Sequence, residues 1–328
     1  MRHLHYGIIL GLLAFFALFF FIFIRYRNSS SGLISPVSSL RQLIAPSIVP
    51  AAILTPTSAP SLTIGLVGDL GLGRNITSTA RRKKDFSWSF QGISSWLSAN
   101  DFTVANLESP LIKDCPEGEV GTFTFCGDPK FLPYLRSNKF IFSLANNHIL
   151  NYGRDGYLQT KNYLNSFAIG SYNSQLDPDP FYKIVKNGIS VGFLSFDLIT
   201  YPQYDRTKII DLVKKYDPEV DWLIVSLHWG NEYLPSAEKW RIDLGRQLVD
   251  VGADIIHGQH PHVWQPSEIY KGRYIFYSLG NFIFDQNWSS ETSRTNIVRL
   301  QLTKNDILSS TTFPVVIKSN SQPWLLQK

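Results

Sequence analysis

Short apolar runs alternate with amphipathic stretches along most of the chain, and this alternation predicts an α/β fold. In the first half, runs typical of buried strands lie at Leu62–Gly68, Phe102–Leu107 and Lys139–Leu144. Amphipathic stretches at Phe86–Ala99 and Pro129–Ser137 predict helices between these strands. We therefore expect a sheet whose strands are connected by helices that cover it.

The second half of the chain continues the alternation, and its last third is rich in strands. This enrichment predicts a second sheet or a mixed one. Asn187-Gly188 is a typical hairpin turn signal between two strand runs. The clearest helix is expected to begin after Ser236, which can cap it, and to end at Gly252. The other predicted elements are helices at 154–167 and Lys208–Tyr216 and strands at Ala168–Gly170, Tyr182–Lys186, Ile189–Phe196, Trp222–Leu227, Ala253–Ile256, 273–279, 295–302 and 311–318.

The N-terminal region differs from the rest in both composition and pattern. Residues 7–24 read GIILGLLAFFALFFFIFI without a charge, which approaches the ~20 residues of a membrane-spanning helix. We predict an uncleaved single-pass anchor at 1–27, with a cleaved secretory signal as the alternative. Residues 28–61 are rich in Ser and Pro and predict an extended linker. The main domain is then expected at 62–320, outside the cytoplasm at the cell membrane.

Charge and composition narrow the classes of partner. The chain has 328 residues, of which 17% are charged and 44% hydrophobic, enough for one large or two small domains. A net charge of +5 is too small to indicate a nucleic acid, and we expect none. The basic run Arg81–Lys84 is interpreted as a solvated loop, with an anionic polymer or lipid headgroup as the alternative ligand.

Two cysteines, Cys115 and Cys126, are the whole cysteine content of the chain. The segment between them contains two glycines that allow a tight loop. A disulfide is expected if the domain lies outside the cytoplasm, and two free thiols are the alternative. Two cysteines cannot fill the four-coordinate shell of a structural zinc site.

Polar residues that can bind metals follow strand after strand, and five of the seven histidines lie at or just after predicted strand ends. In α/β sheets, ligand sites collect at the carboxyl ends of strands. Each residue alone has an ordinary explanation, such as a turn cap or a satisfied buried histidine. Taken together they predict a metal site whose ligands are Asp69, Glu108, Asn147, His228, His260 and His262.

The chemistry of this set points to divalent cations. Carboxylate, amide and imidazole groups without thiolate suit Mn, Fe, Zn or Mg and do not choose among them. Two such ions ~3.5–4 Å apart can hold a hydroxide and clamp a phosphate or another oxyanion. We expect one or two ions. His148, next to the predicted ligand Asn147, is placed to donate a proton to a leaving group.

Six motifs in series resemble the CapA family of poly-γ-glutamate capsule synthesis proteins, which are similar to calcineurin-like metallophosphoesterases. The motifs are GDLGLGR (68–74), ANLESPL (105–111), LANNHILNYGRDG (144–156), HWGNEY (228–233), GQHPH (258–262) and SLGNFIFD (278–285). The resemblance spans roughly residues 62–285. It implies a four-layer α/β/β/α sandwich with a metal-binding cleft.

The resemblance also implies roles for individual residues. Asp69 matches the first metallophosphoesterase aspartate, and Glu108 stands at the position of a bridging aspartate. Asn147 and His148 match the asparagine ligand and the catalytic histidine. His228 matches the isolated histidine ligand, and His260 with His262 matches the final pair. Four further polar residues in these motifs are predicted to contact substrate: Arg74, Asn106, Glu232 and Asn281.

Three positions depart from the metallophosphoesterase or CapA pattern. The first motif usually reads Asp-x-His, whereas this chain has glycine at Gly71, so that one imidazole is missing. The bridging carboxylate belongs to Glu108, which is one methylene longer than aspartate. Asn151 stands where CapA-like sequences often carry aspartate. The missing imidazole and the longer carboxylate, a trait that CapA-like proteins share, call phosphatase activity into question while leaving the cleft.

Three functions compete on this basis. The first is a membrane-anchored factor in making, exporting or anchoring an extracellular anionic polymer, together with other membrane subunits of capsule synthesis. The second is an extracytoplasmic metal-dependent hydrolase of a phosphoester, or of an amide bond in a cell-envelope polymer. The third is a binding module that holds a polymer without chemistry, for which four aromatic residues near the motifs are candidates, with core packing as their alternative role: Trp229, Tyr233, Trp264 and Trp288.

Overall fold

Two β-sheets packed face to face form the centre of the protein. The structure, a computed structural model, describes residues 60–117, 123–319 and 321–326. The predicted anchor and nearly all of the predicted linker lie outside these residues. Within the described ranges, every helix is too short or too polar to cross a bilayer.

Fourteen strands and seven α-helices make up the described chain. In chain order the strands are β1 (Leu62–Leu70), β2 (Phe102–Leu107), β3 (Phe140–Ser143), β4 (Gly170–Tyr172), β5 (Tyr182–Lys186), β6 (Ile189–Asp197), β7 (Trp222–His228), β8 (Ile255–Gln259), β9 (Glu268–Tyr270), β10 (Arg273–Phe276), β11 (Asn281–Ile283), β12 (Arg294–Leu302), β13 (Ile307–Lys318) and β14 (Gln322–Leu325). The α-helices are α1 (Arg74–Lys83), α2 (Ser94–Ser98), α3 (Leu132–Ser137), α4 (Gly153–Ser166), α5 (Arg206–Tyr216), α6 (Lys239–Asp250) and α7 (Ser290–Ser293).

The first sheet is mixed and the second is mostly parallel. The first has the order β14-β13-β12-β1-β2-β3-β4, with β11 beside the end of β1. Strands β1 to β4 run parallel, whereas β12, β13 and β14 pair antiparallel. The second has the order β5-β6-β7-β8-β10-β9, in which β6, β7, β8 and β10 run parallel. The strand-rich C-terminal third therefore completes a mixed sheet, one of the two predicted outcomes.

Three apolar clusters hold four layers together. The central cluster joins the facing sides of both sheets, with Leu66 and Val104 from one and Ile224 and Ile255 from the other. A second cluster lies under helices on the outer side of the first sheet. A third packs α5 and α6 against the outer side of the second sheet. This is the predicted α/β/β/α arrangement.

The backbones of β1 and β11 approach closely at the end of the first sheet. Asp69 pairs with Asn281 in parallel register there. A Cβ atom on Gly68 would lie 1.8 Å from the carbonyl oxygen of Gly280, so only glycine fits. This contact brings two predicted site residues side by side.

Several predicted elements differ from the observed ones. The basic run Arg81–Lys84 is not a loop: it ends α1, where Arg81 pairs with Asp128 at 2.8 Å and cationic side chains face the helix carboxyl end. The stretch predicted as one helix at Phe86–Ala99 is a 3₁₀ helix, Trp88–Ile93, followed by α2. Helix α6 begins after Glu238 rather than Ser236. Strand β14 lies beyond residue 320, where the main domain was expected to end.

Candidate metal centre

The predicted ligands meet between the two sheets, at the carboxyl ends of their parallel strands. Asp69 at the end of β1 lies in register with Asn106 on β2, and Glu108 follows that strand. His228 ends β7 in register with Gln259, the last residue of β8, and the two remaining histidines follow β8 directly. The structure thus brings together Asp69, Glu108, Asn147, His228, His260 and His262, from the carboxyl ends of strands in two facing sheets.

Three ligand-type atoms converge on the side of the second sheet. The Nε2 atom of His228 lies 2.9 Å from the Oδ1 atom of Asn147 and 3.1 Å from the Nδ1 atom of His260. His228 is fully buried and His260 is buried, whereas Asn147 is half-buried. An amide oxygen and two imidazole nitrogens at this separation are a suitable donor set for one divalent ion.

A second group lies on the side of the first sheet. The Oδ2 atom of Asp69 is 3.2 Å from the Nδ1 atom of His262, and the Oε1 atom of Glu108 is 3.5 Å from its Nε2 atom. Both carboxylates are fully buried. Glu108 lies between the two groups, because Asp69, Glu108 and His228 also place one ligand atom each within 4.8 Å of one another.

Buried amides orient this second group. The Oδ1 atom of Asn281 lies 2.9 Å from the Nδ1 atom of His262, while its Nδ2 group donates to the Thr292 carbonyl at 3.0 Å. Because Asn281 and Asp69 both present acceptors to Nδ1, that nitrogen carries the proton, and Nε2 keeps a lone pair on the side of Glu108. Asn281 was predicted to contact substrate, but its buried side chain instead fixes a candidate ligand.

Asn106 has a similar position beneath the site. Its Nδ2 group donates to Asp69 at 2.9 Å and to Glu108 at 3.1 Å, and lies 3.3 Å from the Nδ1 atom of His228. Its Oδ1 atom accepts a hydrogen bond from Asn146 at 2.9 Å. Asn106 was also predicted to contact substrate, yet it is fully buried and touches three candidate ligands, so the structure places it as a positioning residue.

The two buried carboxylates oppose each other electrostatically. Burial raises the pKa of Glu108 well above its usual range, and the charge of Asp69 raises it further. Burial also acts to raise the pKa of Asp69, but the hydrogen bonds from His262 and Asn106 and the nearby imidazoles together lower it. A pair of adjacent buried carboxylates is costly without a cation, and a bound divalent ion removes that cost.

The imidazoles are held in the neutral form that binds metals. Burial, followed by the nearby His260, lowers the pKa of His228 well below its usual range. Burial, followed by the nearby His262, lowers the pKa of His260 to about 3. Neutral imidazole and ionised carboxylate are the protonation states that a metal ion requires of its ligands.

A buried oxygen without a hydrogen bond gives the most direct indication that these residues fit a metal ion. The Oε1 atom of Glu108 is buried and has no hydrogen-bond partner among the described residues. Buried polar atoms are almost always paired, so an unpaired one calls for a specific explanation. It faces His262 within a set of oxygen and nitrogen donors, and the residues present therefore fit one or two divalent ions.

His148 lies beside this centre and is fixed by Asn151. The Nδ1 atom of His148 is 3.1 Å from the Oδ1 atom of Asn151, which also accepts a hydrogen bond from the Phe125 amide at 2.7 Å. The Nε2 atom of His148 is therefore turned inward, 3.9 Å from Glu108. Burial lowers the pKa of His148 to about 4, so the neutral ring must accept a proton before it can donate one.

The disulfide loop contributes a residue that the sequence did not reveal. Cys115 and Cys126 are joined by a disulfide, which is one of the two outcomes that the sequence left open. Phe125, next to this bridge, stacks on His148 and lies under the guanidinium of Arg74 at 4.4 Å. The only sequence signal for its role is its position beside a cysteine.

A cleft of about 710 Å³ opens beside the centre. Arg74, predicted to contact substrate, lines this cleft and pairs with Asp285. Glu232, also predicted to contact substrate, lies on its wall beside His262. Among the aromatic candidates, Tyr233 and Trp288 are exposed here. Trp229 and Trp264 instead pack in the apolar clusters.

His257 is separate from the centre despite its position near a strand end. Its Nε2 atom donates to the Val67 carbonyl of β1 at 2.8 Å. Its Nδ1 atom lies 3.1 Å from Ser226 and 2.9 Å from Gln259. It is therefore a satisfied core histidine that links the two sheets.

Comparisons with known proteins agree with the motif series. The sequence model described as "Bacterial capsule synthesis protein PGA_cap" matches residues 63–286. The "PGA biosynthesis protein CapA" of Bacillus subtilis is 30% identical over 296 residues, 81% of this chain and 77% of that protein. The "Capsule biosynthesis protein CapA" of Bacillus anthracis is 28% identical over 286 residues, 79% of this chain and 68% of that protein.

Among solved structures, a hypothetical protein from Thermus thermophilus has a similar fold. It superposes with a TM-score of 0.50 at 14% sequence identity. The similarity covers 77% of this chain and 98% of that protein. At this identity the similarity concerns the arrangement of strands and helices alone.

Proposed function

This chain belongs to the bacterial capsule synthesis protein family, and on that premise we propose that it acts in making, exporting or anchoring an extracellular anionic polymer of the poly-γ-glutamate type. The observation that carries the proposal is the continuous family match over residues 63–286, which contains all six candidate ligands. Two relatives are named for biosynthesis of PGA and of capsule. We propose the same role for this chain.

The candidate centre suits an anionic polymer. Divalent ions held there would present positive charge at the base of the cleft and clamp carboxylate or phosphate oxygens. Asp69, Glu108 and His262 would hold one ion, and Asn147, His228 and His260 the other. The cationic side chain of Arg74 lies on the same cleft. Mn, Fe, Zn and Mg all suit this donor set.

Membrane attachment is part of the same proposal. The apolar run at 7–24 would anchor the chain, and the linker at 28–61 would let the domain reach polymer leaving the membrane. A disulfide within the domain is compatible with a location outside the cytoplasm. Other membrane subunits of polymer synthesis are the proposed partners.

Loss of the gene tests this function. Deletion is expected to abolish the surface polymer, and the full chain supplied in trans is expected to restore it. A chain with Glu108→Gln and His260→Ala should not restore it if the metal centre is needed. An envelope that keeps its polymer after deletion would count against the proposal.

Metal-dependent hydrolysis of an envelope phosphoester or amide is the second candidate. It is favoured by the inward-facing Nε2 atom of His148, which lies beside Glu108 where it can exchange a proton with a substrate. The full chain with Mn²⁺ should then turn over a generic phosphodiester or polyglutamate. His148→Ala should lose turnover and keep its metal. Turnover that survives this change would exclude the assigned role.

A non-catalytic polymer-binding module is the third candidate. The exposed aromatic rings of Phe123, Tyr233 and Trp288 line the cleft and favour it. Binding of the polymer by metal-free protein, without turnover when Mn²⁺ is present, would distinguish this role from hydrolysis.

A further inference from the structure

We propose that Glu232 is a metal ligand of this centre and supplies the donor that the first motif lacks. The inference rests on the proposed metal cleft and assigns one more residue to it. It replaces the sequence-based expectation that Glu232 contacts substrate.

The position of the Glu232 carboxylate carries the proposal. Glu232, His260 and His262 each offer one ligand atom, and these atoms lie within 4.8 Å of one another. The two imidazoles are buried, whereas Glu232 reaches them from the open side of the cleft. The Glu232 carboxylate thus lies next to one ligand of each proposed ion, and a carboxylate oxygen is a suitable donor to a divalent ion.

The backbone holds Glu232 in this place. The amide of Tyr233 donates to the carbonyl of Pro261 at 2.9 Å, and Pro261 lies between the two histidines. Tyr233, His260 and His262 have positive φ angles of 64°, 93° and 59°. Residues other than glycine adopt such angles at an energetic cost, and such residues cluster at functional sites. Three of them around one carboxylate indicate a geometry that the fold maintains for binding.

The structure also explains why the additional donor comes from Glu232 and not from position 71. A Cβ atom on Gly71 would lie 2.7 Å from the Cε2 atom of Phe284. The Phe284 ring is buried and packs against His262, with ring centroids 4.9 Å apart. An imidazole at position 71 therefore has no room, because a phenyl ring fills the space. Glu232, by contrast, is exposed and lines the cleft together with His262.

Mn²⁺ binding by the full chain in detergent tests the proposal directly. Metal-stripped protein is titrated with Mn²⁺, and free Mn²⁺ is measured by electron paramagnetic resonance. Glu232→Gln removes the charge while keeping the shape, and it is expected to weaken at least one Mn²⁺ site by about tenfold or more. The Mn²⁺ affinity of Glu232→Asp should lie between that of the unchanged chain and that of Glu232→Gln. Glu219→Gln, the same change at an exposed glutamate remote from the cleft, should bind as the unchanged chain does.

The outcomes separate this inference from the proposed function. If the unchanged chain binds Mn²⁺ and Glu232→Gln binds it with equal affinity and stoichiometry, Glu232 is not a ligand, and the metal cleft stands without it. If the unchanged chain binds no divalent ion, the metal cleft fails and the inference fails with it. Near-ultraviolet circular dichroism of the metal-free proteins checks that the variants keep the fold.

Discussion

The phenyl ring of Phe125 stacks on the imidazole of His148, with ring centroids 3.9 Å apart and planes 25° from parallel. The backbone amide of Phe125 also donates to the Asn151 oxygen that faces His148. The next residue is Cys126, which is bonded to Cys115. A covalent constraint in a loop is thus coupled, through one phenyl ring, to the histidine beside the candidate metal centre.

Replacing Phe125 by leucine is expected to disturb His148 without unfolding the protein. The stacked pair should contribute about 1 kcal/mol beyond its burial. Loss of the ring current should shift the His148 ring proton signals downfield in nuclear magnetic resonance spectra. As a control, Phe313→Leu removes a ring that packs on Trp96, and it should lower stability while leaving the His148 signals in place.

The disulfide should stabilise the domain mainly by restricting the unfolded chain. The two cysteines are 11 residues apart, and closing a loop of that size contributes about 3 kcal/mol. Cys115→Ser with Cys126→Ser is therefore expected to lower the free energy of unfolding in urea by that amount. Reduction of the unchanged chain should reproduce the loss. Equal stability of the oxidised and reduced forms would contradict this account.

Substitution of His257 should mainly lower stability, whereas substitution of His260 should mainly lower metal affinity. His257→Ala leaves the Val67 carbonyl unpaired in the core and opens a cavity, which should cost about 2–3 kcal/mol of stability. The variant should still bind Mn²⁺. His260→Ala should lose Mn²⁺ affinity with a smaller loss of stability. Urea denaturation and metal titration of both variants decide the matter, and loss of metal by both would place His257 in the site.

The candidate ligands could be predicted because two simple regularities coincide in this chain. The run that forms β7 is almost entirely apolar, so the ionisable His228 at its end stands out in the sequence. Parallel strands then bring such residues together at the carboxyl ends of the two facing sheets. The spacing within His260-Pro261-His262 added a local signal. None of this required knowledge of side-chain packing.

The features of the site that the sequence did not reveal depend on contacts between residues far apart in sequence. No residue near Gly71 in the sequence indicates that the Phe284 ring fills the space beside it in the folded protein. The positioning roles of Asn106 and Asn281 likewise depend on which neighbours surround each amide after folding. Helix α1 was missed for a local reason: it buries Ile76 and Ala80 but offers few other apolar residues, so its pattern is weak.

Stability should fall as pH rises through the titration of Asp254. Burial raises the pKa of this carboxyl from 3.8 to about 6, although the Leu223 amide and Arg273 oppose the shift and Asp217 adds to it. A raised folded-state pKa means that the stabilising contribution is complete below about pH 4 and is lost as pH rises through about 6. The difference between the folded and unfolded pKa values corresponds to about 3 kcal/mol of stability.

Two variants test the origin of this pH dependence. Asp254→Asn removes the titrating group, so the loss of unfolding free energy between pH 4 and pH 7 should shrink by about 3 kcal/mol. Arg273→Gln removes a cation 3.1 Å from the carboxylate and should enlarge the loss. Urea denaturation across this range measures both. Parallel profiles for all three proteins would show that Asp254 is not responsible.

Asn281→Ala should weaken metal binding without removing a ligand. The change deletes one of the two acceptors of the His262 Nδ1–H group and leaves only Asp69 to hold the ring, so Nε2 is held less firmly toward Glu108. Loss of such a supporting group is expected to reduce metal affinity by about 10–100-fold. Asn100→Ala is the matched control: Asn100 is an equally buried asparagine that bonds Thr103 and Arg299, away from the cleft. Both variants should lose stability, and Mn²⁺ titration should separate them. Equal Mn²⁺ affinity in the two would show that His262 keeps its orientation without Asn281.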